Sequence, residues 1–209
     1  MAFVHRGATL RPTKPEIVSQ WLAAADWFDA DPETGSTAPL SYRFDDPAGK
    51  VGIEALIVPH AGRCIQLPLT YREAPLEGAE DWLLTTMDHS ALGRRWVYDG
   101  VGDPVLVAAF VSAIVGGTAS AALEFDADDE RHTAATSVQA RGTGSGPLPT
   151  PLGVVSVERS ESLSTVHTTA GALRIPHLLD PAAGASPLSL VGEGDAVGSN
   201  LLLAEFVPV

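Results

Sequence analysis

The eleven residues VLVAAFVSAIV, Val105 to Val115, contain a single polar side chain, Ser112, and they constrain the fold more than any other part of the chain. Asp103-Pro104 in front of them predicts a helix start. The carboxylate can accept the free N–H groups of a first turn, and proline suits the first helical position, where no N–H bond is lost. Gly116-Gly117 predicts the end. A helix apolar on every side, and far too short to cross a bilayer, has to be covered on more than one side. A single sheet covers one face only, so the pattern calls for a second layer. The later runs carrying Val155, Val157 and Leu203 can supply it from within, and a second polypeptide is the alternative.

The remaining patterns supply partners for that helix. TKPEIVSQWLAAADWF reads as an amphipathic helix, with Thr13 as cap, Pro15 in the first turn and Ile17, Trp21, Ala24 or Ala25 and Phe28 on one face. A turn-rich connection from Asp29 to Pro39 follows. SYRF, VGIEALIV and RCIQLPLTYR, separated by DDPAGK and PHAG, predict an antiparallel meander. In its third strand Ile65, Leu67, Leu69 and Tyr71 alternate with Cys64, Gln66, Pro68 and Thr70, which predicts one buried and one wetter face, with Pro68 marking an edge or a bulge. EAPLEGAEDWLLTTMDHSALG reads as short helical turns mixed with loop, and GTGSGP as a linker. LGVVSVER, LSTVHTT, ALRIPHLL and NLLLAEFV are short β runs. The expected fold is α+β: antiparallel sheet packed with two main helices, followed by a β-rich C-terminal part. Residues 1–125 form the first expected domain and 134–209 a β-rich subdomain, separate from the first or continuous with it.

Composition narrows the function classes. The chain of 209 residues carries 26 acidic and 13 basic side chains, a net charge of -13, with no basic run to follow a phosphate backbone. Neither nucleic acid nor an anionic membrane surface is an expected partner. Cys64 is the single cysteine, which rules out an intramolecular disulfide and a thiolate metal cluster within one chain. The N-terminal residues lack the pattern of a secretory signal and no stretch reaches the length of a span, so a cytoplasmic location is expected. The abundance of Ala, Gly and Pro, with eleven arginines against Lys14 and Lys50, suggests a GC-rich bacterial genome.

Catalytic signatures are missing from the sequence. There is no G-x-x-x-x-G-K-[ST] phosphate loop and no G-x-G-x-x-G between strand and helix. His5, His60, His89, His132, His167 and His177 show no H-x-x-x-H or H-E-x-x-H spacing, so no metal and no cofactor is expected. Ser90, Ser112 and Ser120 sit in no nucleophile elbow, and Asp45-Asp46, Glu80-Asp81 and Asp128-Asp129-Glu130 read as solvated acidic loops. The candidate cluster is Arg94, Arg95, Trp96, Tyr98 and Asp99, beside Asp103 and Pro104. On a functional reading, arginine forks hold an anionic or sugar ligand and Trp96 offers a stacking face. On a structural reading, Arg94 or Arg95 pairs with Asp99 while Asp103 caps the apolar helix. The structural reading is preferred, because Asp-Pro before an apolar helix already accounts for half of the motif.

The strand ending LPLTYR (to Arg72), the following EAPLEGAEDWLL, and LGRRWVYDGVGDPV from Leu92 to Val105 together resemble the N-terminal cap domain of bacterial maltokinases and related actinobacterial sugar kinases, over about residues 1 to 125. In those kinases the cap is a small α+β module ahead of a β-rich part and a lobe that binds ATP and sugar. The H-G-D-x-x-x-x-N loop of that lobe does not occur in this sequence. The resemblance therefore implies a stand-alone, cap-like, non-catalytic accessory or regulatory protein of maltose, trehalose or glycogen metabolism. Its expected partner is a sugar kinase or another protein of glucan or trehalose pathways, and a homodimer is also open. The alternative is a small ligand- or sugar-binding protein, or an unrecognised enzyme, using the Arg94/Arg95/Trp96/Tyr98 region.

Overall fold

A computed structural model describes residues 7–28, 38–127, 130–160 and 162–209. His5, most of the Asp29–Pro39 connection, and Asp128-Asp129 lie outside the described residues. In chain order the elements are β1 (Leu10–Arg11), α1 (Lys14–Ala23), β2 (Leu40–Phe44), β3 (Gly52–His60), β4 (Arg63–Arg72), β5 (Leu83–His89), β6 (Gly93–Asp99), α2 (Pro104–Gly116), β7 (Leu123–Ala127), β8 (Glu130–Ala134), β9 (Gln139–Gly142), β10 (Val154–Ser160), β11 (Leu163–Thr168), β12 (Gly171–Pro176), β13 (Leu178–Leu179), β14 (Ser189–Gly194) and β15 (Gly198–Pro208). The fold is α+β and rich in antiparallel strands. The first sheet runs β1-β5-β6-β4-β3-β2, the second β10-β11-β12-β15-β14-β9, and β7-β8 form a separate hairpin.

The two helices lie on opposite faces of the first sheet, as its alternation requires. Leu56, Val58, Ile65, Leu67, Leu69 and Val97 pack with Ile17, Val18, Trp21 and Leu22 of α1. Ile53, Ala55 and Ile57, on the other face of β3, join Tyr42 and Phe44 against α2. Thr13 opens α1 with a reciprocal bond to Glu16: the backbone N–H of Glu16 donates to Thr13 Oγ1 and that of Thr13 to the Glu16 carboxylate.

The second sheet covers the side of α2 that the first leaves open. Val138, Ala140, Leu173, Ile175, Leu190, Leu203 and Phe206 share one core with Leu106, Phe110, Val111, Ala113 and Ile114. The sheets also meet along two seams that flank the helix. On one, Val138 donates its N–H to the carbonyl of Ser41 at 3.1 Å, beside edge strand β2. On the other, β13 leaves the second sheet and pairs with β4 through Leu178↔Ile65 and Leu179↔Cys64.

Four expectations about local structure are corrected. Residues 83–89 are a strand paired with β6, because Leu83-Leu84-Thr85-Thr86 meets a partner whose ladder needs filling. Pro68 is at neither an edge nor a bulge: β4 is an inner strand, and Pro68 lies between the stretch paired with β13 (64–65) and that paired with β6 (69–72). The missing N–H falls where the ladder changes partner. The supposedly wetter face of β4 is dry, with Gln66 fully buried under the second sheet and Thr70 fully buried against Asp103 at the start of α2.

GTGSGP is not a linker either. The N–H of Gly144 donates to the carbonyl of Ile114 at 2.9 Å and that of Gly146 to Val115 at 2.8 Å, so this run satisfies the end of α2. Gly117, with φ of 68°, supplies the left-handed cap. Contact is so close that a Cβ on Gly142 would lie 1.7 Å from the carbonyl oxygen of Ala113. Gly142→Ala should therefore cost about 1–3 kcal/mol, since backbone has to move to admit the methyl group. An unchanged urea midpoint would show that α2 does not press on β9.

Candidate functional site

Strand geometry separates the residues of the RRWVYD stretch. Val97 faces α1, so Arg95 and Asp99 share that side of β6 while Arg94, Trp96 and Tyr98 take the other. Arg94 projects into solvent with Nε 3.9 Å from the exposed Asp88 carboxylate. Such a pair contributes little. Arg95 donates to the Arg94 carbonyl at 3.2 Å. Trp96 is half-buried, and Tyr98 is buried with its hydroxyl accepting the N–H of Leu76 at 2.8 Å. These residues do not converge on one cleft.

Asp99 pairs with neither neighbouring arginine, which corrects the structural reading of the motif. Arg94 faces away from it, and Arg95 stands four residues off, about 13 Å along an extended strand. The fully buried Asp99 accepts instead from the Trp21 indole N–H at 3.1 Å, from the backbone of Val101 at 3.2 Å, and from the guanidinium of Arg159 in β10. One carboxylate thus joins α1, the first sheet and the second.

Asp103 is the N-cap of α2, with Pro104 at the first helical position. Its Oδ1 accepts from the backbone of Val105 at 2.9 Å and from Arg72 Nη2 at 2.7 Å, and its Oδ2 from Thr70 Oγ1 at 2.7 Å and Arg72 Nε at 2.6 Å. These hydrogen bonds and the Asp103 charge push the Arg72 guanidinium above its ordinary pKa against its partial burial. The residue is a joint between helix and sheet.

A third buried polar group sits where β13 crosses between the sheets. Gln66 donates its amide N–H groups to the carbonyls of Leu203 at 2.9 Å and Pro176 at 3.1 Å, while its Oε1 accepts from the Tyr42 hydroxyl at 2.8 Å. His177 Nδ1 lies 3.0 Å from the Gln66 carbonyl. A carbonyl can only accept, so Nδ1 carries the proton and the Nε2 of the neutral ring accepts from Ser164 Oγ, 2.8 Å away. Burial pushes the His177 pKa below its ordinary value, outweighing the opposing Asp99 charge and the Gln66 bond. A serine donating to a histidine is nucleophile geometry, but Ser164 is fully buried and lines neither of the neighbouring clefts.

Two clefts adjoin this frame. One, of about 490 Å³, is lined by Lys14, Arg43, Lys50, Glu54, Tyr71 and Arg95 among others. Its buried Glu54 is pushed up by desolvation but brought below the ordinary carboxylate range by Arg43 and Lys14, with hydrogen bonds from Lys14 at 2.8 Å and Tyr71 at 3.1 Å. Asp46 is spent on the β2–β3 turn, accepting the N–H groups of Ala48, Lys50 and Val51. The other cleft, of about 680 Å³, lies between the end of α1, the start of β5 and the β10–β12 corner. Trp21 forms its floor, 5.9 Å from Trp27 in an edge contact and 5.1 Å from the His177 ring. Arg159 reaches it from β10, its guanidinium 4.8 Å over the Trp82 ring.

Sequence reasoning missed Trp21, Gln66, Arg159 and His177 as members of one frame. The local signal was present only for Gln66, a polar residue set between the apolar Ile65 and Leu67 of a strand. Among the described residues no group of three or more His, Cys, Asp and Glu side chains could hold a metal ion, and no helix is long and apolar enough to cross a membrane.

Fold and site together define an α+β module in which buried carboxylates and amides fasten two sheets around an apolar helix, beside a tryptophan-lined cleft. Residues 21–103 match the family described as the maltokinase N-terminal cap domain. The match runs from Trp21 in α1 to the cap residue Asp103, a narrower span than the residues 1 to 125 over which the sequence resembles that domain, and covers less than half of the chain. No curated protein matches the chain.

Proposed function

We propose that the chain is a cap-type accessory or regulatory protein of maltose, trehalose or glycogen metabolism that performs no chemical step of its own and works in the cytoplasm on a sugar kinase or another protein of those pathways. The observation that carries this reading is the match of residues 21–103 to the maltokinase N-terminal cap domain. It is supported by the use made of Asp99 and Asp103: both are fully buried and bonded to the protein's own arginines, as joints between layers. A ligand-binding role is favoured by the Trp21/Trp27 cleft and not by the dispersed Arg94 and Trp96.

Purified protein given ATP, magnesium and maltose or glucose should release no ADP above buffer. Sugar-dependent turnover that follows the protein through purification would overturn the non-catalytic reading. Deleting the gene should shift the cellular pools of maltose, trehalose or glycogen, and unchanged pools would overturn the pathway assignment.

A further inference from the structure

We propose that the cleft between α1, β5 and β10 binds an uncharged carbohydrate, a sugar ring or short oligosaccharide, with Trp27 as the stacking face. The inference rests on the chemistry of this cleft and is independent of the pathway role proposed above.

The division of labour between floor and rim points to a ligand. In the floor the polar atoms are used internally: the Trp21 indole donates to Asp99, Asp99 holds Arg159, and His177 is fixed by Ser164 and Gln66. These bonds anchor the floor on strands and a helix, which keeps it rigid without a ligand. On the rim, the side chains of Gln20, Asp26 and Asp81 make no hydrogen bond or ion pair to another described residue. Arg159 uses one Nη for Asp99, keeps its side chain 45% exposed in the lining of the cleft, and retains further N–H donors.

This set of groups selects among ligand classes. A sugar presents hydroxyls that both donate and accept, beside a ring face of C–H groups. Asp26 and Asp81 are acceptors and Arg159 a donor, while Gln20 does both; Trp27 and the 39% exposed Leu83 supply the apolar wall. A volume of about 680 Å³ is within the range of small-molecule sites. Charge excludes the neighbouring classes. The cation of Arg159 is already offset by Asp99, so the two rim carboxylates leave the cleft negative and oppose a phosphorylated sugar. A simple cation would leave the exposed donors of Arg159 and the apolar wall of Trp27 and Leu83 unused. An uncharged polyol ring conflicts with neither.

The test is isothermal titration of the full chain with glucose, maltose, maltotriose and trehalose, and with glucose 6-phosphate as the contrast. Saturable binding of at least one neutral sugar is expected, with the phosphate ester weaker. Trp27→Ala and Asp81→Asn should each weaken binding by about tenfold or more. Asp81 is exposed and makes no internal bond, so its variant reads the site even if Trp27→Ala disturbs the fold. Absence of saturable binding up to tens of millimolar sugar would overturn the proposal, as would tighter binding of the phosphate ester or affinity unaffected by Asp81→Asn. None of these outcomes bears on whether gene deletion shifts the sugar pools.

Discussion

Ala113→Glu is expected to leave no folded protein at ordinary temperature. Ala113 is 1% exposed, and Val107, Phe110, Val111 and Ile114 on the same helix are at 1% or less. The second sheet covers this side of α2 through Val138, Ala140 and Leu203, all buried in the shared core. A carboxylate placed there has neither water nor a cationic partner, and even protonated it would overfill the space. The cost is comparable with the whole stability of a domain, about 5–15 kcal/mol. Ala109 is only partly buried beside the core, and Ala109→Glu should be milder, about 1–3 kcal/mol, because its carboxylate can turn towards solvent. Circular dichroism and thermal melting of the two variants distinguish the cases. A folded Ala113→Glu protein that melts within a few degrees of the parent, or one that passes from a larger species to a monomer in light scattering, would mean that the helix is covered by another chain.

That internal layer is the part of the architecture most legible in the amino-acid sequence, because it follows from a count of apolar faces. A helix such as Val105 to Val115 has to be enclosed whatever its neighbours are, and runs such as LSTVHTT and NLLLAEFV offer enough alternating hydrocarbon to do it. The meander of β2, β3 and β4 is legible for a similar reason, since each strand carries its period and is bounded by its own turn. What cannot be read depends on residues far apart in sequence. Gly142 and Gly144 look like linker glycines until the end of α2 is set against them, and Gln66 looks like a wet-face residue until β13 crosses over it. Asp99 illustrates the limit most clearly. Nothing local favours Arg159 over Arg94 or Arg95 as its partner, because the choice is made when β10 is brought alongside β6 and α1. Candidate binding residues suffer most from this, since adjacency along a strand sends alternate side chains to opposite faces.

Asp103 tests how much of the molecule depends on such joints. Reading the Asp-Pro motif alone gives the value of a helix cap, about 1 kcal/mol for Asp103→Ala. The structure implies a larger loss. The same carboxylate binds both Arg72 Nε and Nη2 and accepts from the buried Thr70 hydroxyl, so its removal strands a guanidinium that is only 18% exposed together with Thr70 and the Val105 N–H. Breaking a buried pair from one side typically costs about 3–5 kcal/mol, most of it the penalty on the partner left behind. Urea unfolding of Asp103→Ala should show a loss of that size, with Asp103→Asn between it and the parent, since asparagine caps as well as aspartate but lacks the charge. Repeating the Asp103→Ala change in an Arg72→Met background separates the contributions. With the guanidinium gone, only the cap and the Thr70 bond remain to be lost, and the cost should fall to about 1–2 kcal/mol. If it is the same in both backgrounds, the Arg72–Asp103 pair adds nothing to stability, and Asp103 serves only to start the helix.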